Sequence, residues 1–176
     1  MSKPARVAIL GAESTGKSTL AEALAARFGT LWVPEYLREF VDVHGRVPHE
    51  QDQYGIALEQ RAREDAAAAQ AMRLLVCDTT PLMTAVYSQQ YWGRVDAQLA
   101  ALAASHDYAF TLVCAPDLPW VPDGLMRDSD EVRQAEHRLV IDALEKRHIP
   151  FTLLRGGLED RLRQAEAVLG PGASRP

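Results

Sequence analysis

The chain has 176 residues, 47% of them hydrophobic and 24% charged, with a formal net charge of -5. That length and balance suit one globular domain with a full core. The negative charge excludes a nucleic-acid binder held by a broad basic surface, and no apolar run approaches membrane-spanning length, so any anion must be met locally. The first six residues, Met-Ser-Lys-Pro-Ala-Arg, show no apolar leader segment. Cys77 and Cys114 each fall at the end of an apolar run without metal-ligand spacing. They are read as buried thiols in a reducing compartment, with the cytoplasm as the expected location.

In chain order, residues 6–10 (Arg-Val-Ala-Ile-Leu) are a short apolar run ending at glycine, the pattern of a parallel strand buried on both faces. Gly11-Ala-Glu-Ser-Thr-Gly-Lys-Ser18 follows and opens a helical segment, where Leu20, Leu24 and Phe28 form one apolar stripe before a stop at Gly29. A second strand is predicted over residues 30–33, ending at Pro34 with a carboxylate, Glu35, immediately after. Residues 36–43 read as helix, residues 45–48 as an interruption, and residues 49–75 as one long helix carrying i,i+4 pairs and an alanine run at 66–69. The third strand, residues 74–78, also ends in a carboxylate, Asp78.

Helices are predicted over residues 81–91 and 95–105, then a fourth strand over 108–115 and an irregular segment marked by Pro116, Pro119 and Pro122. Asp128-x-x-Glu131 resembles a capping box for a helix whose stripe is Val132, Ala135, Leu139 and Ala143 and whose end is near residue 147. A fifth strand over 150–154, a Gly156-Gly157 turn and a last helix over 158–169 complete the pattern; residues 170–176 read as a disordered tail. Short apolar strands alternating with amphipathic helices predict an α/β fold, a five-stranded parallel sheet covered on both faces. Its three-layer form is the P-loop NTPase sandwich, one domain over residues 1–169.

The spacing G-x-x-x-x-G-K-S between a strand and a helix is a phosphate-binding loop. Gly11 and Gly16 let the backbone approach a polyphosphate, and Glu13, Ser14, Thr15 and Thr19 complete the cradle. Lys17 supplies a point charge for the β and γ phosphates, and the Ser18 hydroxyl suits a Mg²⁺ ligand. The expected ligand is a nucleoside triphosphate.

Ligands of such sheets bind beyond the carboxyl ends of the strands, so Glu35, Asp78 and the segment after residue 115 are expected to converge on the loop. A kinase of this architecture needs one acid on the Mg²⁺ side and a second to orient the acceptor hydroxyl and take its proton. Asp78 is the metal-side candidate, with a helix N-cap as its other reading. Glu35 is the candidate for the acceptor hydroxyl, with a helix start or an Arg38 pair as its other reading. Arg133 and then Arg127 are candidates for a cationic lid around residues 116–133, hinged at Gly124; the other reading is a solvated helix face. The five histidines show no metal-ligand grouping and are expected at the surface. Among Trp32, Tyr36, Tyr87, Tyr91, Trp92 and Trp120, one or two could stack on a planar ring.

Four segments in this order, Gly11 to Ser18, Glu35-Tyr-Leu-Arg-Glu-Phe40, Asp78-Thr-Thr with Thr84 and Gln90-Tyr91, and Trp120-Val-Pro-Asp-Gly-Leu125 before an arginine, resemble the kinase domain of NadR-type ribosylnicotinamide kinases. The resemblance runs from about residue 5 to 169. It implies a kinase that uses ATP and Mg²⁺ to phosphorylate the 5′-hydroxyl of nicotinamide riboside, giving nicotinamide mononucleotide. It also implies ATP on the loop, Mg²⁺ near Ser18 and Asp78, and substrate contacts from Glu35, Tyr36, Asp78 and Trp120. Some members carry tryptophan where this chain has Pro34, so the stacking ring differs. A nucleoside other than nicotinamide riboside, or an ATPase switch acting on a protein partner, are the competing readings. No nucleic acid and no membrane are expected as partners.

Overall fold

The computed structural model describes residues 3–122 and 129–170. Strands β1 (Ala5–Leu10), β2 (Leu31–Val33), β3 (Leu74–Asp78), β4 (Phe110–Cys114) and β5 (Thr152–Leu154) form one sheet in the order β2-β3-β1-β4-β5, with every pairing parallel. Val7 of the central strand faces Val76 on one side and Phe110 on the other. The helices are α1 (Lys17–Phe28), α2 (Tyr36–His44), α3 (Gln53–Ala68), α4 (Pro81–Trp92), α5 (Ala97–Ala104), α6 (Asp130–Lys146) and α7 (Leu158–Leu169). A single 3-10 turn, Glu50–Asp52, leads into α3.

Side chains alternate across a strand, and that alternation builds two cores. Val7, Ile9, Val76, Leu112 and Leu154 pack against Leu20, Leu24 and Phe28 of α1 and Leu162, Ala165 and Leu169 of α7. Ala8, Leu10 and Val113 face the other way, against Leu37, Phe40, Ile56, Met83, Leu99, Val140 and Leu144 from α2 to α6. The result is the three-layer sandwich predicted, with Cys77 and Cys114 buried as free thiols. No helix among the described residues is long and apolar enough to cross a membrane.

Three local expectations are corrected. The long helix over 49–75 stops at Ala68, because the N–H groups of Gln70 and Ala71 both turn back onto the Ala67 carbonyl (3.0 Å each). Alanine propensity favours continuing, but Arg73 must release its carbonyl to accept from Ala5 N at 2.8 Å, where β1 and β3 begin to pair. The cap of α6 is Ser129, whose hydroxyl accepts from Val132 N at 3.2 Å; Asp128 lies outside the described residues. The buried face of α6 is Arg133, Glu136, Val140 and Leu144, one residue on from the expected stripe, because the start of this helix buries two charged groups against the phosphate loop. The predicted tail beyond residue 170 also lies outside the described residues.

Candidate active site

The loop between β1 and α1 is held in a conformation that depends on glycine. Gly11 takes φ +152°, and a β-carbon there would sit 2.8 Å from Thr15 Oγ1 and 3.0 Å from the Cys114 carbonyl oxygen. Gly16 caps α1 in the left-handed region at φ +83°. Within the loop the Thr15 hydroxyl donates to the Ala12 carbonyl at 2.7 Å, and Lys17 Nζ donates to the same oxygen at 3.0 Å. Lys17 is 6% exposed, so its charge is delivered from inside the fold at the positive end of α1.

Asp78 is fully buried, and its Oδ2 accepts a hydrogen bond from the Ser18 hydroxyl at 2.7 Å. Its Oδ1 is buried with no hydrogen-bond partner among the described residues. The helix-cap reading does not apply, since Thr80 occupies the N-cap position of α4. Glu35, 7% exposed, stands at the N-cap position of α2 but makes no cap hydrogen bond with its side chain. Burial pushes Glu35 above the ordinary carboxylate range, with Lys17 opposing and Asp78 reinforcing that shift. Burial likewise raises Asp78, opposed by Lys17 and by the Ser18 hydroxyl. Exposed Arg38 is within electrostatic reach of both acids and lowers each.

A small cleft opens beside Glu35, lined by Leu37, Gln53, Ile56, Gln60, Thr79, Thr84 and Tyr87. No lysine or arginine is among these residues. Thr79 adopts φ +76°, a strained position for a β-branched side chain, directly after Asp78. Tyr36 does not line this cleft; its ring lies under the Arg63 guanidinium at 4.5 Å, and its backbone N–H donates to Gln60 Oε1 at 2.8 Å. Trp120 is also elsewhere. Its neighbour Val121 donates from its N–H to the Ser14 hydroxyl at 3.1 Å, which brings this segment over the phosphate loop.

Arg133 meets the loop from α6. It is 4% exposed and donates to the carbonyls of Ser14 (3.1 Å) and Leu118 (2.8 Å), so its fork joins the loop to the irregular segment. Arg127 and Gly124 lie outside the described residues. Two contributors were missed from sequence. Arg161 of α7, 1% exposed, donates to the Thr15 carbonyl, to the Ala115 carbonyl at 2.9 Å and to Asp117 Oδ1 at 2.7 Å. Glu136 of α6 accepts from the backbone N–H of Glu13 at 3.3 Å. Neither has a local motif; only the sheet order brings α6 and α7 to the loop.

His106 departs from the surface expectation: half-buried, it pairs with the Thr111 hydroxyl at 2.9 Å, and burial brings its pKa down to about 4. No cluster of three or more potential metal-ligating side chains occurs among the described residues.

A glycine loop at the carboxyl edge of a parallel sheet, with a buried lysine and an acid bonded to the loop serine, defines a P-loop nucleotide-binding protein. The profile of a family described as an AAA domain matches residues 6–161, and the chain belongs to that family. Over 150 residues it is 33% identical to the trifunctional NAD biosynthesis/regulator protein NadR of Salmonella typhimurium (strain LT2), covering 82% of this chain. The chain spans only 37% of the length of that relative. Among solved structures, a NadR protein in complex with NR superimposes with a TM-score of 0.80 at 19% identity, over 98% of this chain and 52% of that one. A NadR protein in complex with NAD and AMP-PNP gives a TM-score of 0.78 at 17% identity, with the same coverage.

Proposed function

We propose that the chain is an ATP-dependent nucleoside kinase that phosphorylates the 5′-hydroxyl of nicotinamide riboside to give nicotinamide mononucleotide. The observation that carries this reading is the pair of buried acids, Glu35 and Asp78, at the phosphate loop, the second bonded to the loop serine. The identity with NadR and the fold shared with its NR and AMP-PNP complexes support the choice of riboside and of ATP.

Lys17 and the loop N–H groups hold the β and γ phosphates. Glu35 orients the acceptor hydroxyl and accepts its proton while the oxygen bonds to the γ phosphorus and the bond to the bridging oxygen breaks. The residues present fit Mg²⁺: the Ser18 hydroxyl and the unpartnered Oδ1 of Asp78 are the oxygen donors this cation requires. Bound there, the ion neutralises charge on the phosphates. Arg133 acts through the Ser14 and Leu118 carbonyls it holds, and the Val121 N–H, beside Trp120, ties the following segment to the phosphate loop.

The test is ATP consumption with Mg²⁺ against nicotinamide riboside, the common nucleosides and no acceptor, with product identified by mass. Stoichiometric 5′-phosphate from nicotinamide riboside is expected. Phosphorylation of another nucleoside in its place would refute the riboside assignment and keep the kinase. Hydrolysis independent of every acceptor would refute both.

A further inference from the structure

Strand β3 and helix α4 are joined by two residues, and the first of them carries the whole bend. Asp78 ends the strand opposite Ile9 of β1, the Thr79 N–H still donates to the Ile9 carbonyl at 3.0 Å, and Thr80 is already the N-cap of α4. Thr79 therefore takes φ +76°. Glycine adopts such a conformation freely, and this chain uses it at Gly29, Gly45 and Gly93, where helices end. Three described residues take positive φ without being glycine, Ser14, Thr79 and His148, and of these Thr79 alone is β-branched. Ser14 and Thr79 both stand at the site, and the Ser14 hydroxyl is in use, accepting from Val121 N at 3.1 Å. A strained residue kept where glycine would fit points to a function for its side chain.

Thr79 is 4% exposed and shares with Glu35 the wall of a cavity of about 10 Å³, space for one water at most. Its hydroxyl is the side-chain donor that hydrogen-bonds the Glu35 carboxylate, working against the upward push of burial. Glu35 makes no side-chain bond to its own helix, so α2 does not fix the direction of its carboxylate. A β-branched side chain has little freedom at χ1, and the bend in the backbone aims it, so the donor is held still. Building on the reading of Glu35 as the group that takes the acceptor's proton, we infer that Thr79 is a positioning residue: its hydroxyl holds one oxygen of Glu35 and leaves the other turned toward the acceptor hydroxyl. The strained turn lets one residue leave the strand directly after Asp78 and still present a fixed donor to the second acid.

The test is a double-mutant cycle read in kcat, with nicotinamide riboside as acceptor. Thr79→Val keeps the shape and the strained backbone and removes the donor. It should lower kcat about tenfold while KM for ATP holds. In a Glu35→Gln background the same substitution should change kcat less than twofold, because the base it positions is gone. Thr79→Ser restores the donor and should recover most of the loss. Thr79→Gly removes the hydroxyl on a backbone free of strain, so it separates the donor from the bend and serves if the Val variant folds poorly; it should lose kcat as the Val variant does. Equal losses with and without Glu35, a Ser variant no better than Val, or Val and Gly variants within twofold of wild type would overturn the role of Thr79 and leave the kinase standing. Glu35→Gln as fast as wild type, or wild type inert towards nicotinamide riboside and the common nucleosides, would remove the reading beneath it and this inference too.

Discussion

Lys17 and Glu35 both hold charge in places shielded from water, and their energetics follow from that. The Lys17 ammonium rests on the Ala12 carbonyl at 3.0 Å, poised for an anion that the loop N–H groups also favour. Lys17→Ala should lower phosphoryl transfer by about a hundredfold or more with little change in melting temperature, checked by steady-state kinetics and thermal denaturation. Glu35→Gln should lower kcat by roughly a hundredfold or more while KM for ATP stays near wild type, as expected of a group that acts on the acceptor hydroxyl. Because burial raises Glu35, a base in this position must lose its proton at a pH above the ordinary carboxylate range. Activity of wild type should therefore fall as pH drops through that raised value. The Gln variant should lack this acidic limb, and a pH–rate profile that keeps it would assign the limb to another group.

At the scale of elements, α6 and α7 act as braces for a loop that lies far from them in sequence. Arg133 and Arg161 each put a guanidinium fork onto loop carbonyls, Ser14 for one and Thr15 for the other, and each joins that loop to the segment after β4. Asp117 completes the second brace, its Oδ2 accepting from Gly156 N at 2.8 Å. Arg161→Ala leaves two buried carbonyls unpaired and should cost about 2–3 kcal/mol, a fall of roughly 5–10 °C in melting temperature, with a raised KM for ATP. Arg161→Lys keeps the charge but loses the fork, so it should restore part of the stability and less of the ATP affinity. Equal ATP affinity in all three proteins would show that the brace does not shape the loop.

The same elements explain what was legible in the sequence. The phosphate loop was readable because its chemistry is written in eight consecutive residues. Glu35 and Asp78 were readable because an acid directly after a short apolar run falls at the sheet's carboxyl edge. Arg161 was not, since within Leu-Glu-Asp-Arg-Leu-Arg it looks like any arginine on a surface helix. The α6 face was misplaced by one residue for a related reason: a periodicity rule counts apolar side chains, and this helix turns Arg133 and Glu136 inward. Tyr36 followed the motif in sequence, yet its ring is taken by Arg63 on the outside of α3.

Across the whole molecule, a second buried charge cluster lies away from the loop, around the start of β1. Glu64 is fully buried, accepts from the Tyr108 hydroxyl at 2.7 Å and pairs with Arg6 at 3.5 Å, while Arg61 reaches Asp107 at 3.3 Å. Burial outweighs these partners and pushes the Glu64 pKa up to about 7 from an ordinary 4.5. The unfolded chain releases this proton near the ordinary value, whereas the folded chain keeps it to about neutrality. Its contribution is thus full below pH 4.5 and is lost as pH rises through 7. Relative to Glu64→Gln, wild type should lose stability on the order of 3 kcal/mol over that window, measured by urea denaturation at a series of pH values. Parallel pH dependence in the two proteins would refute the assignment.

The brace from α7 also bears on the order of events during synthesis. The phosphate loop leaves the ribosome well before the arginine that grips Thr15, which follows 146 positions later. Until α7 docks, the Thr15 carbonyl has no guanidinium to hold it, so a nascent chain should complete its nucleotide affinity only once α7 is made. Nucleotide capture by ribosome-bound chains of increasing length would show a step as α7 emerges, so the loop would become competent long after it is made.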